Sequence, residues 1–158
     1  MHKEVTILIA DDDDGHAGLI KRNLERGGIS NPVIRFRDGQ EVLDYLLCPQ
    51  ESGDCREAAR AYVLLLDIRM PKLDGVEVLR RIKASPALQR LPVIMVTTTE
   101  EPHEIERCYD QGCSSYVCKP VEYDDFVNAI RQLGLFLQVV EIPQLDDNAG
   151  NLSKGSGI

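Results

Sequence analysis

Tyr62-Val63-Leu64-Leu65-Leu66-Asp67-Ile68-Arg69-Met70-Pro71 is an apolar run that ends in a single carboxylate. A strand buried on both faces carries such a continuous run rather than an alternating one. In open α/β sheets, ligands bind just beyond the carboxyl ends of such strands. Asp67 is therefore the first candidate functional residue. Taken alone, an Asp in this place caps the following turn, the ordinary use of Asp after a strand; its company elsewhere in the chain argues for more.

Working outward, residues 5–10 (VTILIA) read as a first strand that stops at Asp11-Asp12-Asp13-Asp14. A helix follows over 15–26, with Leu19, Ile20 and Leu24 at helical spacing and Gly27-Gly28 as its stop. Residues 32–36 read as a short edge strand opened by Pro32. Asp38 is the expected N-cap of a helix running to about Cys48, with Glu41 at capping-box spacing and Val42, Leu43, Leu46 and Leu47 facing the core. Residues 49–60 (PQESGDCREAAR) read as a long polar loop.

Beyond Asp67, Asp74-Gly75 opens a helix that ends near Ser85-Pro86. Residues 92–97 (PVIMVT) form another buried strand, 102–111 a helix stopped by Gly112, 114–118 a fifth strand, and a last helix begins near Glu122. Strands alternating with helices imply an α/β fold, a parallel sheet covered on both faces by right-handed crossovers. Asp11 and Asp12, Asp67, Thr97 and Lys119 then fall at the carboxyl ends of four different strands, on one rim.

Composition narrows the function. The chain has 158 residues, 43% hydrophobic and 28% charged, which suits one soluble domain with one core. A net charge of −8 disfavours nucleic acid and anionic membranes as partners. No apolar run reaches membrane-spanning length and the N-terminus lacks a signal pattern, so a cytoplasmic location is expected. The five cysteines, Cys48, Cys55, Cys108, Cys113 and Cys118, show no paired metal or redox spacing and are expected to be free thiols.

Three carboxylates within about 4 to 5 Å of one another repel by several kcal/mol per pair at a protein-like dielectric. A hard, oxygen-seeking cation such as Mg²⁺ offsets that repulsion and keeps positions open for a phosphoryl group. Lys119 adds a mobile positive charge suited to Asp67 or to a phosphoryl oxygen, and Thr97 adds a hydroxyl donor. A carboxylate nucleophile, a bridging metal and a lysine are the parts needed for phosphoryl transfer to Asp.

ILIADD, LLLDIRMPKLDG, PVIMVTT and YVCKP, in this order and at these intervals, resemble the receiver domain of two-component response regulators over about residues 5–133. The resemblance implies the flavodoxin-like, CheY-like fold: a doubly wound five-stranded sheet of order 2-1-3-4-5 with five helices, here followed by a C-terminal extension. It implies Asp67 as phosphoacceptor, Asp11, Asp12, Asp67 and the Arg69 backbone carbonyl as Mg²⁺ ligands, Thr97 as switch hydroxyl, Lys119 as the lysine partner and Tyr116 as the aromatic that follows Thr97. The phosphoryl donor is then a sensor histidine kinase. The output is the face built from the fourth helix, fifth strand and fifth helix, and the protein is a phosphoacceptor rather than a turnover enzyme. Pro120 falls in the lysine-proline turn, where the family often has a cis bond and where trans is the default for any single X-Pro.

The expected division is a receiver over 1–133, an apolar extension over 134–143 acting as a dimer arm or helix continuation, and a disordered tail over 144–158. The extension carries more apolar side chains than one helix face buries, so it either folds back on its own domain or, the favoured expectation, forms a homodimer with the output face. Together with the 49–60 loop it is similar to stand-alone regulators that accompany bacterial phytochromes. A haloacid-dehalogenase-type phosphotransferase wants a second Asp at position 69, which is Arg, and a flavodoxin-type electron carrier wants a phosphate loop where this chain has four Asp. A docking module that is never phosphorylated is the remaining alternative; the joint presence of acids, Thr97 and Lys119 argues against it.

Overall fold

The computed structural model describes residues 4–48, 55–57 and 60–145. Five strands, β1 (Thr6–Ala10), β2 (Val33–Phe36), β3 (Tyr62–Leu66), β4 (Val93–Thr97) and β5 (Ser115–Cys118), alternate with five helices. The helices are α1 (Asp14–Arg26), α2 (Gly39–Leu47), α3 (Gly75–Ala84), α4 (Pro102–Asp110) and α5 (Tyr123–Val139). All four strand pairings are parallel and the order is β2-β1-β3-β4-β5. This is the doubly wound, flavodoxin-like and CheY-like architecture expected from the sequence.

The apolar runs are continuous because each central strand feeds two cores. Leu8, Leu64, Leu66, Val93 and Met95 face one side and pack against α2, α3 and Cys108 of α4. Ile7, Ile9, Val63, Leu65, Ile94 and Val96 face the other and pack against α1 and α5. The period of two along a strand splits each run evenly between the layers. Helix ends follow local chemistry: Asp13, Asp38 and Asp74 accept the N–H of His16, Glu41 and Glu77 as N-caps. Gly28 and Gly112, with φ of 96° and 97°, turn the chain out of α1 and α4.

Three local expectations are corrected. Leu47 is exposed, because α2 ends there and its core face closes at Leu46. Glu41 does not complete a capping box with Asp38; its carboxylate accepts the N–H of Arg37 at 3.2 Å. Cys108, Cys113 and Cys118 are free, whereas Cys48 and Cys55 are joined as a disulfide with their Cα atoms 5.8 Å apart. The backbone explains that pairing. The Arg56 N–H donates to the Tyr45 carbonyl at 3.0 Å and its Nε donates to the Leu46 carbonyl at 3.2 Å, returning the chain to the end of α2. Every peptide bond among the described residues is trans, the Lys119-Pro120 bond included.

Helix α5 runs without a break through residues 134–139. Leu133 and Leu137 lie on its buried face, and the chain beyond it returns to its own body, burying Ile142 and Leu145. The disordered tail expected over 144–158 is corrected at its start: Gln144 makes an antiparallel bridge to Ala61, beside the start of β3, and Leu145 is buried, because both dock on the chain entering that strand. Leu135, Phe136 and Val139 stay exposed on the other face. Residues 146–158 of the expected disordered tail, and residues 49–54, 58 and 59 of the expected loop, lie outside the described residues.

Leu137 is fully buried while Val139, two residues on, is 76% exposed. Leu137→Ala is expected to cost roughly 2–5 kcal/mol of unfolding free energy, and Val139→Ala less than about 0.5 kcal/mol. Urea unfolding of both variants checks this, and equal losses would mean that α5 is rotated from the face described.

Candidate phosphoryl-transfer site

The register of the sheet builds the site. Ala10 pairs with Leu66, and the Asp67 N–H donates to the Ala10 carbonyl at 3.0 Å, so Asp11 and Asp67 leave adjacent strands side by side. Thr97 closes β4 opposite Cys118, and the Lys119 N–H donates to the Thr97 carbonyl at 2.7 Å. Asp11, Asp67, Thr97 and Lys119 are all buried, whereas Asp12 is exposed at the rim.

Asp11, Asp12 and Asp67 each place a carboxylate oxygen within 4.8 Å of the others. Lys119 threads into this cluster, its Nζ donating to Asp11 Oδ2 at 2.6 Å and to Asp67 Oδ2 at 3.3 Å. The lysine thus sits closer to Asp11 than to Asp67, the partner expected from the sequence. Burial pushes the Asp11 carboxyl above its ordinary range, and the bond and charge of Lys119 pull it back only in part. The donor set is hard oxygen throughout, partly buried and, with three carboxylates against the one ammonium of Lys119, two charges short of neutral, which fits Mg²⁺. Asp11, Asp12 and Asp67 are the side chains that would hold such an ion.

Each carboxylate is aimed by backbone. Asp67 Oδ1 accepts the Ile68 N–H at 2.8 Å, leaving Oδ2 to the pocket. Asp11 Oδ1 accepts the Asp13 N–H at 2.9 Å. Gly75 opens α3 against this turn, its N–H donating to the Ile68 carbonyl at 2.7 Å. A Cβ at Gly75 would collide with the carbonyl of Asp67, so only glycine lets α3 close on the phosphoacceptor candidate. Lys72, in the same loop, adopts a left-handed φ of 67° and pairs with Asp38 at 3.5 Å. Arg69 lies two positions past Asp67 with an exposed side chain.

Thr97 is fully buried, and its hydroxyl lies 3.5 Å from the Thr99 N–H, which donates to it. Tyr116 on β5 donates its hydroxyl to the Thr99 carbonyl at 2.6 Å, fixing its half-buried ring against the loop that follows Thr97. Burial raises the Tyr116 phenol well above its ordinary value, so it stays a donor at all physiological pH.

Sequence reasoning missed two residues. Arg35 on β2 donates Nε and Nη2 to the Asp11 carbonyl at 3.0 and 2.7 Å, and Nη1 to Asp14 at 2.6 Å, clamping the acidic loop. That bond lowers the Asp14 carboxyl below its ordinary range. A charged residue inside the short run VIRF was the available signal. His16 of α1 places Nδ1 at 3.1 Å from Lys119 Nζ, and nothing in the linear sequence marked it.

A parallel 2-1-3-4-5 sheet that gathers three carboxylates, a threonine and a lysine on its carboxyl edge defines a phosphoacceptor signalling domain of the response-regulator class. The chain belongs to the response regulator receiver domain family, which it matches over residues 7–131. It is 44% identical to a response regulator receiver domain from Rhodospirillum rubrum, with a TM-score of 0.83 and coverage of 90% of this chain and 99% of the other. It is 30% identical to response regulator Rcp1 of Synechocystis sp. over 87% of this chain and 92% of that protein. Rcp1 has been solved in an Mn²⁺-bound form, which superposes with a TM-score of 0.79 at 27% identity over 87% of this chain and 98% of that one. The bacteriophytochrome response regulator RtBRR is 40% identical, with a TM-score of 0.65 over 87% of this chain and 82% of its own. Phosphoryl acceptance is the general function of the family. Its receiver domains bind Mg²⁺ at an acidic pocket and interact with sensor histidine kinases. Among the described residues no helix is long and apolar enough to cross a membrane.

Lys119→Met removes the buried counter-charge and leaves Asp11 and Asp67 unpaired. We expect a loss of about 3–5 kcal/mol without divalent ions and a larger Mg²⁺-induced rise in melting temperature than in the wild type. Calorimetry with EDTA and with Mg²⁺ reads both; a variant as stable as wild type in EDTA would remove Lys119 from this role.

Proposed function

We propose that the chain accepts a phosphoryl group from a sensor-kinase phosphohistidine onto Asp67. The observation that carries this reading is the pose of Asp67: Oδ1 is held by the Ile68 N–H while Oδ2 faces Lys119 inside the three-acid cluster. A carboxylate oxygen of Asp67 attacks phosphorus, an acyl phosphate forms, and the P–N bond breaks with its electron pair going to the imidazole nitrogen. Asp11, Asp12, Asp67 and the Arg69 carbonyl would hold Mg²⁺, which when bound would supply charge neutralisation for that transfer.

The chain's own groups do the rest. Lys119 gives up part of its bond to Asp67 and donates to a phosphoryl oxygen, and Thr97 donates its hydroxyl to another. Movement of Thr97 and of the loop behind it releases Tyr116 from the Thr99 carbonyl, so the face of α4, β5 and α5 takes a second arrangement. The reaction ends on the chain itself, which makes the protein a phosphoacceptor with its own transfer and hydrolysis chemistry rather than a turnover enzyme. The setting is cytoplasmic, with the kinase.

The likeness to a bacteriophytochrome response regulator supports a phytochrome kinase as the donor. A receiver over 1–133 with an apolar extension over 134–143 leaves Leu135, Phe136 and Val139 uncovered, and a second copy joined through this extension and the α4–β5–α5 face would cover them.

Incubation with phosphoramidate and Mg²⁺ is expected to add one phosphoryl group by intact mass to the wild type and none to Asp67→Asn; an adduct on the variant would move the acceptor elsewhere. Light scattering of wild type and of a Phe136→Ser, Val139→Ser variant is expected to give a dimer and a monomer. A monomeric wild type, before and after phosphorylation, would exclude the second copy.

A further inference from the structure

We propose that His16 is a positioning residue for Lys119, acting as a neutral acceptor that keeps the ammonium aimed at Asp67 without cancelling its charge. This rests on the phosphoryl-acceptance reading above. An ammonium has three N–H donors. In the structure they have three acceptors: Asp11 Oδ2 at 2.6 Å, Asp67 Oδ2 at 3.3 Å and His16 Nδ1 at 3.1 Å. Because an ammonium only donates, Nδ1 accepts and the ring is the neutral imidazole with its proton on Nε2.

The ring is held for that task by a stack, and the residue's backbone by a helix cap. It stacks on Phe126 of α5, with centroids 5.4 Å apart and planes at 27°. The backbone N–H of His16 donates to the N-cap Asp13 at 2.9 Å and anchors the residue in the first turn of α1, while Asp13 Oδ2 lies 3.7 Å from Nδ1, farther than the Lys119 ammonium. A buried lysine among acids alone would be pinned by whichever carboxylate is nearest, here Asp11. A neutral third partner supplies direction at little electrostatic cost, so the charge remains free to meet a phosphoryl oxygen when one arrives at Asp67.

Two substitutions separate the acceptor from the ring. His16→Phe keeps the stack on Phe126 and removes the acceptor; His16→Gln loses the ring and keeps an acceptor oxygen. At saturating Mg²⁺, phosphorylation by phosphoramidate is expected to slow about tenfold in H16F and to recover to within about threefold of wild type in H16Q, the scale of a lost positioning contact. Without metal or donor, ¹⁵N NMR is expected to show a protected Lys119 ammonium signal in wild type and H16Q and its loss to solvent exchange in H16F. An H16F protein that matches wild type in rate and signal overturns the proposal, and so does H16Q failing to recover either. If the wild type takes no phosphoryl group while the ammonium signals follow the expected order, the functional reading fails and the positioning role stands.

Discussion

The bond from Lys119 to Asp11 and Asp67 is the constraint on which the rest of this structure turns. It joins β5 to β1 and β3 across the carboxyl edge of the sheet, with all three residues buried. An ion group in such a place returns little net stability, because taking the charges out of water offsets their attraction. What it gives is a fixed arrangement in which two carboxylates stay close together, one of them pushed toward its protonated form by burial. Because its own charges are incompletely balanced, that arrangement suits a cation, as the proposed acceptance of a phosphoryl group requires.

The rest of the rim keeps that imbalance in place. Arg35 ties the β1–α1 loop from the edge strand, Gly75 lets α3 close under Asp67, and Tyr116 ties the loop after Thr97 to β5. Each tie ends on a backbone carbonyl, or admits one, so the loops are set by main-chain geometry and the charged groups are spared for chemistry. Helices α1 and α5 share one face of the sheet, and His16 and Phe126, one from each, stack beside the lysine.

Much of this was legible before any coordinates. The runs VTILIA, YVLLL and PVIMVT announced buried parallel strands, and their polar ends announced Asp11, Asp67 and Thr97. The cap residues Asp38 and Asp74 and the stops at Gly28 and Gly112 are local chemistry, and they fell where local chemistry put them. Leu47 misled because a helical spacing continues on paper past the point where the core ends. The Cys48–Cys55 pair was hidden because its closeness comes from Arg56 folding back on α2. The apolar stretch after Leu133 was ambiguous for a related reason: Leu137, Ile142 and Leu145 find cover in their own domain while Leu135, Phe136 and Val139 do not.

The sequence by itself determined the α/β class, the strand ends and the residue types on the rim, since hydrophobic period and turn chemistry are properties of neighbours along the chain. The tertiary structure decided which acceptor Lys119 prefers, that Arg35 grips the Asp11 carbonyl, and that His16 reaches the lysine from 103 residues away. Those are distances between atoms on different elements, fixed by strand register and helix packing, and no pattern within one element carries them.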